Sequence, residues 1–196
     1  MILSPADALT ALRDGNARYV DGTPQPWKAT AELRAGLARG QAPFACVITC
    51  SDSRVAPEIL FDQSQGDLFV IRVAGTILTP EVVGSVEFAV EALNTKLVVV
   101  MAHSSCGAIE AAVSDLPLRG AISAVIARLG TIVIEKRKQG FSGDTLASEV
   151  SRQNTRNLAA QLPQQSPAIL EALESGSVAI SRAYFDVASG VVQWDF

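Results

Sequence analysis

Histidine is almost absent: the 196 residues contain one, His103. Cysteine is scarce too, with three in all. An odd count, in a chain whose first residues lack a basic region followed by an apolar stretch, argues against a disulfide scaffold and favours free thiols or metal ligands. The missing leader also sets a cytoplasmic expectation, compatible with confinement in a microcompartment or attachment through a partner. No apolar run approaches the roughly 18 residues of a membrane span. The longest candidates, such as residues 97–102, are strand-sized. Positive charge is in deficit, 16 Lys plus Arg against 20 Asp plus Glu, and the net charge of −4 argues against a nucleic-acid surface. Glycine (14) and proline (9) are near average, so collagen-like and Pro/Gly-rich disordered readings fall. What is present is a 48% apolar chain whose length suits one domain, residues 1–196, with a substantial core.

Residues 1–40 read as a helical arm. Ser4, followed by Pro5 and Asp7, predicts a capped helix start. Ala8, Leu9, Leu12 and Tyr19 then recur at roughly helical spacing. Gly22–Pro26 breaks the pattern, and a second helix fits Thr30 to Arg39, ended by Gly40. The first helix has no obvious partner in the sequence, so its apolar stripe is expected against either another subunit or its own domain. Residues 41–196 read as the core. Phe44–Cys50, Leu68–Ala74 and 97–102 are near-continuous apolar runs, as in parallel strands buried on both faces. Helical patterns lie between them, short from Pro57 to Phe61 and long from Pro80 to Leu93. Three or four helices follow Cys106, one of them over 121–138 with a basic end that suits a helix C-terminus. Val178–Val187 and Val191–Phe196, split by Ser189 and Gly190, read as a hairpin. The expected fold class is α/β, a mostly parallel central sheet of about four parallel strands plus a C-terminal antiparallel strand, flanked by helices.

Two short segments carry the chemistry. Cys50-Ser51-Asp52-Ser53-Arg54 directly follows one buried run, and His103-Ser104-Ser105-Cys106-Gly107 directly follows another. In parallel sheets ligands bind outside the carboxyl ends of the strands, so both segments are expected on one edge. Two thiolates and an imidazole make three good zinc ligands and leave a fourth tetrahedral position open, the mark of a catalytic rather than a structural ion. A water there ionises near pH ~7. A helix start after Cys106 favours its thiolate. Alternate residues of an extended segment share a face, so Cys50, Asp52 and Arg54 are expected together, with Arg54 holding Asp52 off the metal through a bidentate pair. Taken singly, each residue has an ordinary explanation: a core thiol, a structural His, an exposed ion pair. Their joint occurrence on one edge does not. Cys46, inside the strand without polar company, is assigned to the core. A cysteine phosphatase loop is excluded by spacing, since Cys50 and Arg54 have three residues between them and position 112 is Ala. Arg72-Val73-Ala74-Gly75 lacks any phosphate-loop pattern, and Gly75 reads as a turn residue.

Cys-x-Asp-x-Arg followed by His-x-x-Cys-Gly resembles the beta class of carbonic anhydrases. The likeness continues through Gly40–Pro43, Phe61–Gln63, Gly66–Arg72, Gly84–Val90 and Gly190–Trp194, in family order along the whole chain. The resemblance implies zinc held by Cys50, His103 and Cys106, with Asp52 and Arg54 as the catalytic dyad and Asp52 a fourth ligand in a closed state. It implies that Gln41 and the Gly107 N–H bind substrate, and that Phe69, Ala74 and Phe88 line the pocket for carbon dioxide. It also implies a homodimer or dimer of dimers, with N-terminal helices embracing the partner and the partner supplying the glutamine and the aromatic at position 88. The activity implied is reversible hydration of CO2 to bicarbonate. A carbonyl sulfide or carbon disulfide hydrolase on the same site, and a catalytically silent zinc-binding subunit, are the alternatives. Three departures stand out. Val47 replaces the Trp of relatives with a bicarbonate regulatory site, so that site is not expected, although Arg72 is present. Thr76 stands where many relatives have Asn, and Ala102 where Gly usually precedes the His ligand.

Overall fold

A computed structural model describes residues 3–26, 30–114 and 116–196; Met1 and Ile2, part of the segment read for a leader, lie outside them. The apolar runs form strands β1 (Ala45–Thr49), β2 (Leu68–Arg72) and β3 (Leu97–His103), joined later by β4 (Ala179–Phe185) and β5 (Val192–Trp194). The sheet order is β2-β1-β3-β4-β5. The first four strands are mutually parallel and β5 is antiparallel to β4, as the sequence pattern predicts. Every residue of β1 and β3 is buried, because these central strands are covered on both faces.

Strand alternation divides the core. Val47, Val99 and Met101 face one side, where they meet helices α1 (Pro5–Val20) and α3 (Pro57–Leu60). Cys46, Ile48, Val98 and Val100 face the other, against α4 (Pro80–Glu87), α7 (Gly143–Gln165) and α8 (Pro167–Glu174). Between α4 and β3 the helix widens into one looser turn over Phe88–Ala92, so the long helix expected from Pro80 to Leu93 is regular only in its first half. A third cluster joins Cys50 and Cys106 to α5 (Gly107–Val113), α6 (Ile122–Lys138) and α7.

The α1 stripe finds its partner in its own chain. Ala8 and Leu12 are fully buried in the sheet core. Asn16 donates to the carbonyls of Leu60 and Gly190 at 3.1 and 2.9 Å and accepts from the Val192 N–H at 2.9 Å. Gly15 is required where α1 crosses α3, since a Cβ there would stand 1.7 Å from the Phe61 carbonyl oxygen. Helix α2 (Ala31–Leu37), capped by Thr30, buries no residue in this chain. Among the described residues no helix is long and apolar enough to cross a membrane.

Candidate metal centre

The strand order reverses between β1 and β3: β1 continues outward to β2, and β3 to β4. Such a switch point opens a crevice at the carboxyl ends of the two strands. Cys50 follows the last residue of β1, His103 ends β3, and Cys106 caps α5. Residues 53 positions apart in sequence are thereby brought together. The ligand atoms of Cys50, His103 and Cys106 all lie within 4.8 Å of one another, and all three side chains are buried. The two sulfurs are 3.8 Å apart. Thr49 Oγ1 donates to the Met101 carbonyl at 2.9 Å and ties the two ligand-bearing strands together.

The imidazole is oriented. Nδ1 stands 2.8 Å from the Ser104 carbonyl, an acceptor, so the ring proton belongs on Nδ1. Nε2 is left with a free lone pair, and it is the one buried side-chain polar atom among the described residues without a partner. An orphaned buried nitrogen facing two sulfurs costs free energy unless something binds it. The Cys50 thiol is pulled well below its ordinary value, first by its hydrogen bond with Cys106 and further by the backbone of Asp52 and Gly75. The same contact, together with burial, pushes the Cys106 thiol up. Two sulfurs and a partnerless imidazole nitrogen converge in the pocket, and this donor set fits a cation. Cys46 differs: burial pushes its thiol up to about 12, in keeping with its core assignment.

Asp52 stands beside this cluster but is not one of its converging ligand atoms. Arg54 holds it from both sides. Its Nε and Nη2 donate to Oδ1 and Oδ2 at 2.9 and 2.7 Å, and its backbone N–H donates to Oδ1 at 3.0 Å. Nη2 also donates to the Ser105 carbonyl at 2.8 Å, joining the two motif segments. The Arg54 guanidinium keeps the Asp52 carboxyl well below the usual carboxylate range. Arg72, at the end of β2, clamps the same loop by donating to the carbonyls of Cys50 and Asp52.

The other expected site residues divide into two groups. Gly107 opens α5, and a Cβ there would meet nothing within 4 Å, so space is left beside Cys106. Ala74 precedes Gly75, which packs beside Ala108 and Leu129 of the cluster that holds Cys50 and Cys106. Phe69 and Phe88 lie apart from them, with ring centroids 6.1 Å from each other. Phe69 pairs with Cys46, four residues before Cys50, which is about 13 Å along the strand. Gln41 is exposed before the start of β1, at the opposite end of the strand from Cys50. Within one chain these three do not reach the cluster. Thr76 has φ +49°, a conformation that Asn tolerates better than a β-branched residue.

Comparison with known proteins agrees with this geometry. The family model described as carbonic anhydrase matches residues 45–192. Carbonic anhydrase 2 of Mycobacterium tuberculosis is 40% identical over 191 residues, covering 95% of this chain and 91% of the relative. The beta-carbonic anhydrase CafA of Aspergillus fumigatus has 26% identity and a TM-score of 0.77, covering 97% of this chain and 89% of that one. A structure described as one of two tetrameric beta-carbonic anhydrases from Sordaria macrospora shares the fold, with a TM-score of 0.78 at 23% identity over 96% and 95% of the two chains. With its paired motifs converging at the switch point of the sheet, this chain belongs to the beta-carbonic anhydrase family.

Proposed function

We propose that this chain is a zinc-dependent enzyme that interconverts carbon dioxide and bicarbonate, with Asp52 and Arg54 as its catalytic dyad. The observation that carries the proposal is the orphaned Nε2 of His103 facing two sulfurs 3.8 Å apart. Two thiolates bound at about 2.3 Å in tetrahedral geometry stand about 3.8 Å apart, so the cluster has the dimensions for zinc. Cys50, His103 and Cys106 would hold the ion and leave its fourth position free. When bound, the ion supplies a Lewis acid that brings the ionisation of water near neutral pH.

The chain's own residues do the rest. The ionised Asp52 carboxylate accepts a hydrogen bond from the attacking nucleophile and so aims the nucleophile's lone pair at the carbon of CO2. Arg54 fixes the direction of that carboxylate through its three hydrogen bonds. The Gly107 N–H, at the start of α5, supports the oxygen that becomes negative as CO2 bends. Ala74 contributes an apolar wall beside Cys50. Gln41, Phe69 and Phe88 are too far from their own cluster and serve the site of a second copy, which makes the enzyme a homodimer or a dimer of dimers. The exposed Phe88 ring, 50% accessible, and the uncovered helix α2 are what such a partner would bury.

Cys50→Ser tests the ligand assignment. Its expected result is zinc lost and hydration abolished together. Full zinc retention with full activity would overturn it.

A further inference from the structure

We infer that Asn154, in the middle of α7, is a positioning residue that holds the 74–76 turn against the metal ligand Cys50. The inference rests on the zinc site proposed above. Asn154 Nδ2 donates to the carbonyls of Gly75 and Thr76 at 3.1 and 2.9 Å, across 78 or more residues of sequence. Those two residues are consecutive left-handed positions, Gly75 at φ +69° and Thr76 at φ +49°. Glycine takes that conformation freely, whereas threonine is strained there by its branched Cβ. Thr76 is also buried, at 3% exposure. A strained, buried residue persists only when its surroundings hold it. Asn154 supplies that hold, with its one amide nitrogen donating to both carbonyls.

The turn matters because of what lies on its other side. Gly75 packs beside Ala108 and Leu129, members of the apolar cluster that holds Cys50 and Cys106. The surroundings are close, since a Cβ built at Gly75 would stand 3.3 Å from Ala108 and 3.4 Å from Val125. Anchored by the Val73 N–H on the Thr49 carbonyl at 3.0 Å, the turn is fixed at its entry by β1 and at its exit by Asn154. If the exit is released, Thr76 relaxes toward a negative φ and shifts Gly75 against the cluster that holds Cys50 and Cys106. Partners of this kind around a metal ligand are typically worth about 10- to 100-fold in metal affinity or activity.

The test uses Asn154→Leu, which keeps the volume and removes both donors, and Asn154→Leu combined with Thr76→Gly, which removes the strain that Asn154 opposes. Zinc release into a chromophoric chelator is read alongside CO2 hydration and the thiolate-to-metal absorption band of cobalt-substituted protein. We expect Asn154→Leu to speed zinc release and lower turnover by about 10-fold or more, with a shifted cobalt band. The double variant should recover most of both. Unchanged zinc release and band in Asn154→Leu would overturn the inference, as would a loss that is the same whichever residue occupies position 76. If Asn154→Leu does not fold and the double variant does, the rescue itself supports the clamp. Failure of both to fold would reduce Asn154 to a stability role and overturn it. Wild-type protein that binds zinc but leaves CO2 untouched would refute the proposed activity, while zinc release would still read the clamp.

Discussion

Replacing Asp52 by Asn separates the chemistry of the dyad from its structure. Three hydrogen bonds run from Arg54 to Asp52, two to Oδ1 and one to Oδ2. An asparagine with its oxygen at Oδ1 keeps the first two. Its NH2 group then faces Arg54 Nη2, donor against donor, but Nη2 retains the Ser105 carbonyl at 2.8 Å. The loop therefore survives, and Cys50, His103 and Cys106 are untouched. What disappears is an ionised acceptor for the proton of the nucleophile. A hydrogen bond to a charged group is worth about 1.5–3 kcal/mol net, which at about 1.4 kcal/mol per decade is a loss of roughly 10- to 150-fold in kcat. Stopped-flow CO2 hydration, on protein with zinc measured by elemental analysis, reads both quantities. An unchanged kcat at unchanged zinc content would refute the role given to Asp52. Zinc lost in parallel with rate would make Asp52 a support of the ligand loop instead.

Further predictions concern the same site and the scaffold. Arg54→Ala frees the Asp52 carboxylate from its clamp, so it competes for the fourth position of the ion; turnover should fall while zinc is retained, and an unchanged rate would contradict this. The Asp52 carboxyl is lowered by Arg54. Its contribution to stability is therefore present above the unfolded pKa of about 3.9 and lost only as pH falls through the lower folded value. The stability difference between wild type and Asp52→Asn should accordingly be flat from pH 5 to 9, checked by thermal denaturation, and a slope in that range would count against the ion pair. Gly15→Ala would press a Cβ to 1.7 Å from the Phe61 carbonyl oxygen. Overpacking of about 1–3 kcal/mol should lower Tm by about 2–12 °C, and an unchanged Tm would show that α1 shifts freely. With the chain's one histidine assigned to the proposed metal site, proton release should depend on buffer, and a rate independent of buffer at low concentration would contradict that.

The parts of this molecule that were legible in the sequence are those set by local pattern. Apolar runs with intervening helical stretches predicted the parallel strands, because β1 and β3 are covered on both faces and tolerate no polar residue except Thr49 and His103. The convergence of Cys50, His103 and Cys106 was legible because each motif begins where such a run stops. Arg72 offered a faint signal, a lone cation ending an apolar strand at the same edge as Cys50, but nothing local marked its bonds to two carbonyls. Asn154 offered none. It sits in a polar helix among Gln153, Thr155 and Arg156, and only the packing of α7 across the sheet reveals that its amide meets the 74–76 turn. The partner of α1 was likewise undecidable from spacing, since an apolar stripe does not say which surface it covers. The three bonds of Asn16 show that it covers its own chain.

The central claim is most directly tested by stopped-flow CO2 hydration on protein of measured zinc content, with carbonyl sulfide hydrolysis run in parallel. One zinc per chain and CO2 turnover that vanishes when the ion is stripped and returns when it is restored is the predicted result. Zinc-loaded protein inert toward CO2 would contradict it, and carbonyl sulfide hydrolysis by that same protein would transfer the site, with its ligands unchanged, to the other linear substrate.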